Sequence, residues 1–424
     1  MYGLYANWTS ATGESLFPGF QPDADAAATF TYSVNGEPFG PGLDFFEYQV
    51  RFLSFLSLPR AQPHSKHYVT SNKEYESNDA PILAVHVTLF KNQPEIAVFG
   101  ISIPHGVFDA TGIGMVVHAL DAELSGREWT PPPFPSSLRE NKLEKVLESL
   151  LSASVGNYAD GEDMIRDFVP ATWVAWLWML ASIAYEYFWH RVELRVIYLG
   201  EDVVEKVVEP IKEAARKEGT WVSSGDALVE WLVKVRTFHH SFQKAARRVH
   251  ILLSSQSIYV GSSSPNSLAV SSVFSIRPVF PTLGAYPHNA AGCFSIPLIP
   301  ISTLSSPLIS STLPSKIAQS HRSSLNKART ASGLKSVADV VGTRRARVMR
   351  RGRREDDYIF TNQSIGKITE LTALGGLKEF FVYGFPMVQD HAVAINKLNG
   401  GYHITATLRK DQWAKIEEGL KKLQ

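Results

Sequence analysis

The stretch ILAVHVTLF, from Ile82 to Phe90, sets Leu83, Val85, Val87 and Leu89 two residues apart. Residues at that spacing share a face only in an extended strand, so this segment is read as a strand with one apolar side. Lys91-Asn92-Gln93-Pro94 carries turn chemistry. Ile96–Ile103 follows as a second strand, apolar on both faces apart from Ser102, the pattern of a strand covered on both sides. Together they predict a hairpin that runs through the loop Pro104–Asp109 into a helix from about Ala110 to Leu124. A hairpin feeding a helix in this way confines the chain to a layered α/β arrangement.

The remaining segments fit that class. A chain of 424 residues calls for about two domains at roughly 100–200 residues each. A short strand is expected at Thr29–Val34 and a helix at Phe46–Leu56. Glu193–Leu199 alternates as a strand, and Glu201–Lys217 is a charged amphipathic helix. Ser223-Ser224-Gly225-Asp226 is a helix-capping signature, with Ala227, Leu228, Trp231 and Leu232 at helical spacing behind it. Gly401–Leu408 reads as a strand and Lys410–Leu423 as a helix, while Ser254–Ser275 is Ser-rich and weak in pattern. The expected organisation is an N-terminal lobe over 1–165, a crossover helix and linker over 166–200, and a C-terminal lobe over 201–424. Each lobe is expected to be a mixed sheet flanked by helices.

Charge and cysteine usage remove several functions. Lys plus Arg is 42 and Asp plus Glu is 41, a net charge of +1, so there is no global field for nucleic acid or anionic lipid. The single cysteine, Cys293, excludes a disulfide scaffold, a thiolate zinc site and an iron–sulfur cluster, and suits buried packing. The segment MYGLYANWTS has no basic patch followed by an apolar run and is not read as a signal peptide. A cytoplasmic, monomeric protein without nucleic-acid or membrane partners is expected. No phosphate-binding Gly-Lys-Ser/Thr loop and no Gly-x-Gly-x-x-Gly occurs. Ser223 and Ser224 are read as caps rather than nucleophiles.

Two segments resist a single reading. Phe168–Tyr185 holds no charged residue over eighteen positions, about the shortest run that can span a bilayer. Its tryptophans and its starting Pro170 favour a buried or interdomain helix over a membrane span or a helix lying on a membrane surface. Arg344–Arg354 carries seven arginines. It suits a solvated loop, and also nucleic acid, nuclear import or the phosphates of coenzyme A.

The loop Ile103-Pro104-His105-Gly106-Val107-Phe108-Asp109-Ala110-Thr111-Gly112 carries the candidate chemistry. A histidine at a strand end suits general base work, because its pKa lies near working pH. An aspartate at a helix start can cap it or pair with an arginine. The same spacing also suits a structural loop histidine beside a capping aspartate.

This element resembles the His-x-x-x-Asp motif of the BAHD acyltransferases, in particular their fungal branch around the trichothecene 3-O-acetyltransferases. The preceding hairpin and the helix ATGIGMVVHALDAELSG are similar, as is ELRVIYLGEDVVEKVVEPIKEAARKEGTWVSSGDALVEWL. SVFSIRPVF resembles the family's arginine strand, AYPHNAAGCF its Tyr-x-x-Asn-Ala turn, and FFVYGFPMV stands where the family has Asp-Phe-Gly-Trp-Gly. The resemblance implies two lobes with a channel between them, acyl-CoA as co-substrate and no permanently bound cofactor or metal. It implies His105 as general base and Asp109 shaping the loop by pairing with Arg277, with Gly384 and Phe385 as structural support. The acceptor would be a hydroxyl on a secondary metabolite and the donor acetyl-CoA, and no covalent acyl-enzyme would form. Val382–Pro386 lacks the family's aspartate and replaces Trp with Phe and the last Gly with Pro. These departures motivate an alternative, a catalytically inactive relative that binds a small molecule or a partner.

Overall fold

A computed structural model describes residues 28–35, 83–90, 93–103, 107–132, 142–152, 158–166, 168–170, 172–185, 188–189, 191–237, 267–300, 316–343, 348–350, 357–373, 392–398, 400–421 and 423. Its contacts divide the chain into two units that interleave in sequence. The first takes Met1–Val146, Phe280–Ala291 and Gln363–Phe380. The second takes Leu147–Val279, Gly292–Asn362 and Phe381–Gln424.

In the first unit, β1 (Ala28–Asn35), β2 (Leu83–Phe90) and β3 (Gln93–Ser102) form a sheet in that order. β2 and β3 pair antiparallel as the predicted hairpin, while β1 lies parallel to β2. The chain then enters α1 (Ala110–Leu124), whose bounds match the sequence reading. The helix expected at Phe46–Leu56 lies outside the described residues.

Four further elements, α2 (Lys142–Ser152), α3 (Tyr158–Met164), the short β4 (Phe168–Pro170) and α4 (Trp173–Tyr185), precede the main sheet of the second unit. That sheet contains β5 (Val192–Leu199), β6 (Ser267–Ser275), β7 (Ala291–Ser295), β10 (Asp357–Asn362), β11 (Ala392–Leu398) and β12 (Gly401–Arg409). The strand order is β5-β12-β11-β10-β6-β7, with β8 (Ile299–Pro300) paired to β6. β6, β10 and β11 are parallel neighbours, and β12 and β5 add antiparallel. A separate two-stranded ribbon joins β4 to β9 (Val348–Arg350).

Helices α5 (Glu201–Lys217), α6 (Ser224–Thr237), α7 (Lys316–Ala328), α8 (Ala331–Thr343) and α9 (Lys410–Lys421) complete this unit. α6 is its hub and packs against α5, α7 and α9. Ala227, Leu228, Val229, Trp231, Leu232, Val233 and Val235 are all buried. The predicted cap forms, with Asp226 Oδ2 accepting from the Ser223 backbone N–H at 2.7 Å. Trp413 of α9 is also enclosed and donates its indole N–H to the Glu193 carbonyl at 2.9 Å. Cys293 packs against Ile165 and Phe168, as a small apolar residue would.

The weakly patterned Ser-rich stretch ends in a central strand, β6, whose Leu268 and Val270 are buried along with Ser271 and Ser272, and whose last residues are the start of the SVFSIRPVF strand. One expectation needs correction: the favoured buried or interdomain helix over the uncharged segment turns an apolar face of α4 outward. Trp173 is 74% exposed, Leu177 57% and Leu180 55%. Burying a leucine is worth a few kcal/mol only where water is excluded. Leu228→Ala is therefore expected to lower unfolding free energy by about 2–5 kcal/mol, whereas Leu177→Ala should change it by no more than about 0.5 kcal/mol. Urea unfolding of the two variants checks this, and equal losses would contradict the outward face of α4.

Candidate functional site

Asp109 begins the site. It is 7% exposed and adopts extended backbone as the N-cap of α1. Its Oδ1 accepts from the Gly112 N–H at 2.9 Å, and its Oδ2 from the Ala290 N–H at 2.9 Å. The first bond satisfies a helix-start amide that has no partner within the helix. The second ties α1 to the turn containing Tyr286, Pro287, His288 and Asn289. A further backbone bond, from Asn289 N–H to the Val107 carbonyl at 2.8 Å, fastens the same turn to the loop itself.

Packing makes the clasp tight. Phe108 is buried, and its ring lies 5.7 Å from the His288 imidazole. His288 meets Tyr286 edge-on at 5.4 Å. A Cβ on Gly112 would stand 1.8 Å from the Pro287 carbonyl oxygen, and one on Gly114 would stand 2.0 Å from that of Gly366. Both glycines are needed because backbone approaches backbone there. Further along α1, Asp121 holds the segment at Thr372 and Ala373 through their amides at 2.8 and 2.7 Å, and it also pairs with Arg127. Burial pushes the Asp121 carboxyl up, but the Ala373 and Thr372 amides, the Thr372 hydroxyl and Arg127 outweigh it and hold it below its ordinary value.

The other anticipated residues are placed as follows. Arg277 opens a short 3₁₀ turn, is 5% exposed, and donates from Nη1 to the Ser275 hydroxyl at 3.2 Å. It belongs to the second unit and Asp109 to the first, so their expected pairing remains an expectation. His105, Gly384 and Phe385 lie outside the described residues. Among the described residues, no group of His, Cys, Asp and Glu could hold a metal ion.

A second cluster was not anticipated. His321 of α7 is hydrogen-bonded through Nδ1 to Asp226 Oδ1 at 2.6 Å and through Nε2 to the Ser272 hydroxyl at 2.7 Å. Carboxylate, imidazole and hydroxyl thus stand in the order of a Ser-His-Asp triad. Exposure decides against nucleophilic work, since Ser272 is 3% exposed within a central strand and Asp226 is 1% exposed. Asp226 also accepts from Arg322 at 2.8 Å and from the Ser223 hydroxyl at 2.7 Å. The cluster therefore pins α6 and α7 to the sheet. Burial raises the Asp226 carboxyl, yet His321, Arg322 and Ser223 together bring it below its ordinary value. Its members lie far apart in sequence, and only the Ser223–Asp226 cap was readable locally.

No family model matches the chain. It is 24% identical to the transcriptional regulator calD of Penicillium decumbens over 172 residues, 39% of this chain and 32% of that one. It is 22% identical to the O-acetyltransferase PaAT-2 of Phomopsis amygdali over 191 residues, 42% of this chain and 36% of that one. The matches thus span about a third of each relative's length. Among solved structures, F. graminearum TRI101 complexed with coenzyme A and deoxynivalenol aligns with a TM-score of 0.55 and 13% identity, covering 97% of this chain and 83% of its own. Vinorine synthase aligns with a TM-score of 0.52 and 14% identity, covering 91% and 74%. The chain has the fold of these solved proteins.

Two outcomes follow from these bonds. Asp109→Asn turns an amide N–H toward a backbone N–H, and Gly112→Ala forces Pro287 away. Each should lower unfolding free energy by about 1–3 kcal/mol, read by denaturant titration. The depressed Asp226 carboxyl stabilises the fold above its unfolded pKa of about 3.9, and that contribution is lost as pH falls through the lower folded value. Unfolding free energy should therefore decline below about pH 4, and less steeply in Asp226→Asn, which is already weakened at neutral pH.

Proposed function

We propose that this chain is an acyl-CoA-dependent acyltransferase that moves an acyl group, acetyl in the simplest case, to a hydroxyl of a small secondary metabolite. The observation that carries the reading is the Asp109 clasp. It fixes the end of the His105 loop at the start of α1, in a chain with the fold of proteins solved with coenzyme A. His105 takes the proton from the acceptor hydroxyl as its oxygen attacks the thioester carbonyl. The tetrahedral adduct collapses with loss of the CoA thiolate, which takes the proton from the His105 imidazolium and leaves as free thiol, so no acyl-enzyme forms and no metal takes part. Asp109 acts through the loop as a positioning residue. General base action contributes about 10²–10⁴-fold, and holding both substrates together supplies further acceleration. The O-acetyltransferase relative supports the reaction class.

A second reading, an inactive relative that binds a small molecule or partner, is favoured by the similarity to a transcriptional regulator and by the altered Val382–Pro386 segment.

Release of free CoA thiol from acetyl-CoA, with and without alcohol acceptors, separates the two. The acyltransferase reading expects acceptor-dependent release, reduced roughly 100-fold or more in His105→Ala with an unchanged circular dichroism spectrum. CoA binding without turnover across a panel of acceptors would establish the inactive relative.

A further inference from the structure

We propose that Arg322, Arg329 and Trp221 form a binding site for the phosphate group of a small ligand. The proposal does not depend on the acyltransferase reading, and all three residues belong to the second unit.

Arg329 is the residue that calls for a ligand. Its backbone N–H donates to the Leu325 carbonyl at 2.9 Å, so it extends the helical ladder of α7 by one residue. Its Nε is enclosed and has no hydrogen-bond acceptor among the described residues. No carboxylate of those residues forms an ion pair with it. A cation drawn out of water is costly unless a negative charge or several acceptors meet it. The residue as a whole is half-buried, so an outside molecule can still reach the side chain.

Arg322 brings a second guanidinium to the same face. Residues seven apart lie two turns apart on one side of a helix, and helical side chains lean toward the N-terminus, so Arg329 leans back toward Arg322. Arg322 donates from Nε and Nη2 to Asp226 Oδ2, at 2.8 and 2.5 Å. Its guanidinium carbon stands 4.7 Å from the centre of the Trp221 ring. Trp221 precedes α6 and is exposed, so one face of its indole meets Arg322 while the rest meets solvent. Burial and then the charge of Arg322 hold the Arg329 guanidinium below its ordinary value, and the attraction of Asp226 does not restore it.

The charges here do not balance. Asp226 is one carboxylate facing two arginines, and its oxygens are already taken by His321, Arg322 and Ser223. Glu218 is engaged by Gln319 Nε2 at 2.6 Å, one turn before Arg322, and Asp160 by Lys327 at 2.7 Å. One positive charge is left for an anion from outside. Two guanidinium forks reaching from different turns of a helix suit a phosphate, whose oxygens point in several directions, better than a planar carboxylate. The open side of Trp221 adds a platform for a flat ring on the same ligand, as a nucleobase has.

Titration calorimetry of the full chain with inorganic phosphate and with adenosine 5′-monophosphate, at constant ionic strength, tests this. Both should bind saturably. Arg329→Met keeps an apolar stem but removes the charge, and should weaken both by about tenfold or more. Trp221→Ala should weaken only the nucleotide, by about tenfold. Melting curves give a second readout. In phosphate-free buffer Arg329→Met should melt no lower than the unaltered chain, because no internal partner is lost, and phosphate should raise the melting temperature of the unaltered chain alone. A variant that melts lower without phosphate shows Arg329 paired within the fold and overturns the proposal. So does phosphate that fails to bind, or that binds Arg329→Met equally well. Free coenzyme A identifies the source of the phosphate: binding weakened in Arg329→Met assigns the site to the coenzyme, and unchanged binding assigns it to another phosphorylated ligand.

Discussion

A carboxylate without water must find other hydrogen-bond donors, and Asp109 finds them in two backbone amides, Gly112 and Ala290. That requirement organises the first unit. It fixes where α1 begins, and it ties the helix to a turn nearly two hundred residues further along the chain, a separation of 181 positions. The close approaches at Gly112 and Gly114 follow from the same clasp, since neither neighbouring carbonyl leaves room for a Cβ. Phe108 and His288 then cover the joint. Asp109 thus anchors the start of α1 through bonds to two separate segments.

The second unit meets the same physical demand differently. Asp226 sits in the α6 hub with an imidazole, a guanidinium, a hydroxyl and a backbone amide around it. Glu230, one turn later and also enclosed, accepts from the Ala318 amide at 2.9 Å near the start of α7 and pairs with Lys234. Each buried charge is matched, so each fixes the direction of a helix rather than merely its burial. The triad-like order of Asp226, His321 and Ser272 shows that geometry alone does not define a nucleophile. Access to substrate is equally required.

Local pattern carried much of the fold. Period two located β2, an apolar run behind turn residues located β3, the capping signature located α6, and charge periodicity located α5. β6 was legible only at its end, where SVFSIRPVF resembles a strand, because its serines otherwise look like loop residues until partners in other segments satisfy them. Ser272 needs His321, and the strand needs β10 beside it. Asp109 was legible as a cap because its Gly112 partner is three residues away. Its bond to Ala290 was not, because no local signal reports a contact at that separation.

The amino-acid sequence by itself determined the layered α/β class, the bounds of β2, α1, β5, α5 and β12, and the candidate His105–Asp109 loop, since those depend on periodicity, turn chemistry and capping within a few residues. Tertiary structure alone decided which buried charges meet, which glycines face a carbonyl and which way α4 points. An uncharged helix has the same pattern whether it enters a core or faces outward, because hydrophobicity states a preference for leaving water and not which neighbour will provide the cover. The alignment of Arg350 with Phe168 is likewise a property of strand pairing, set by backbone hydrogen bonds between segments that are distant in the chain.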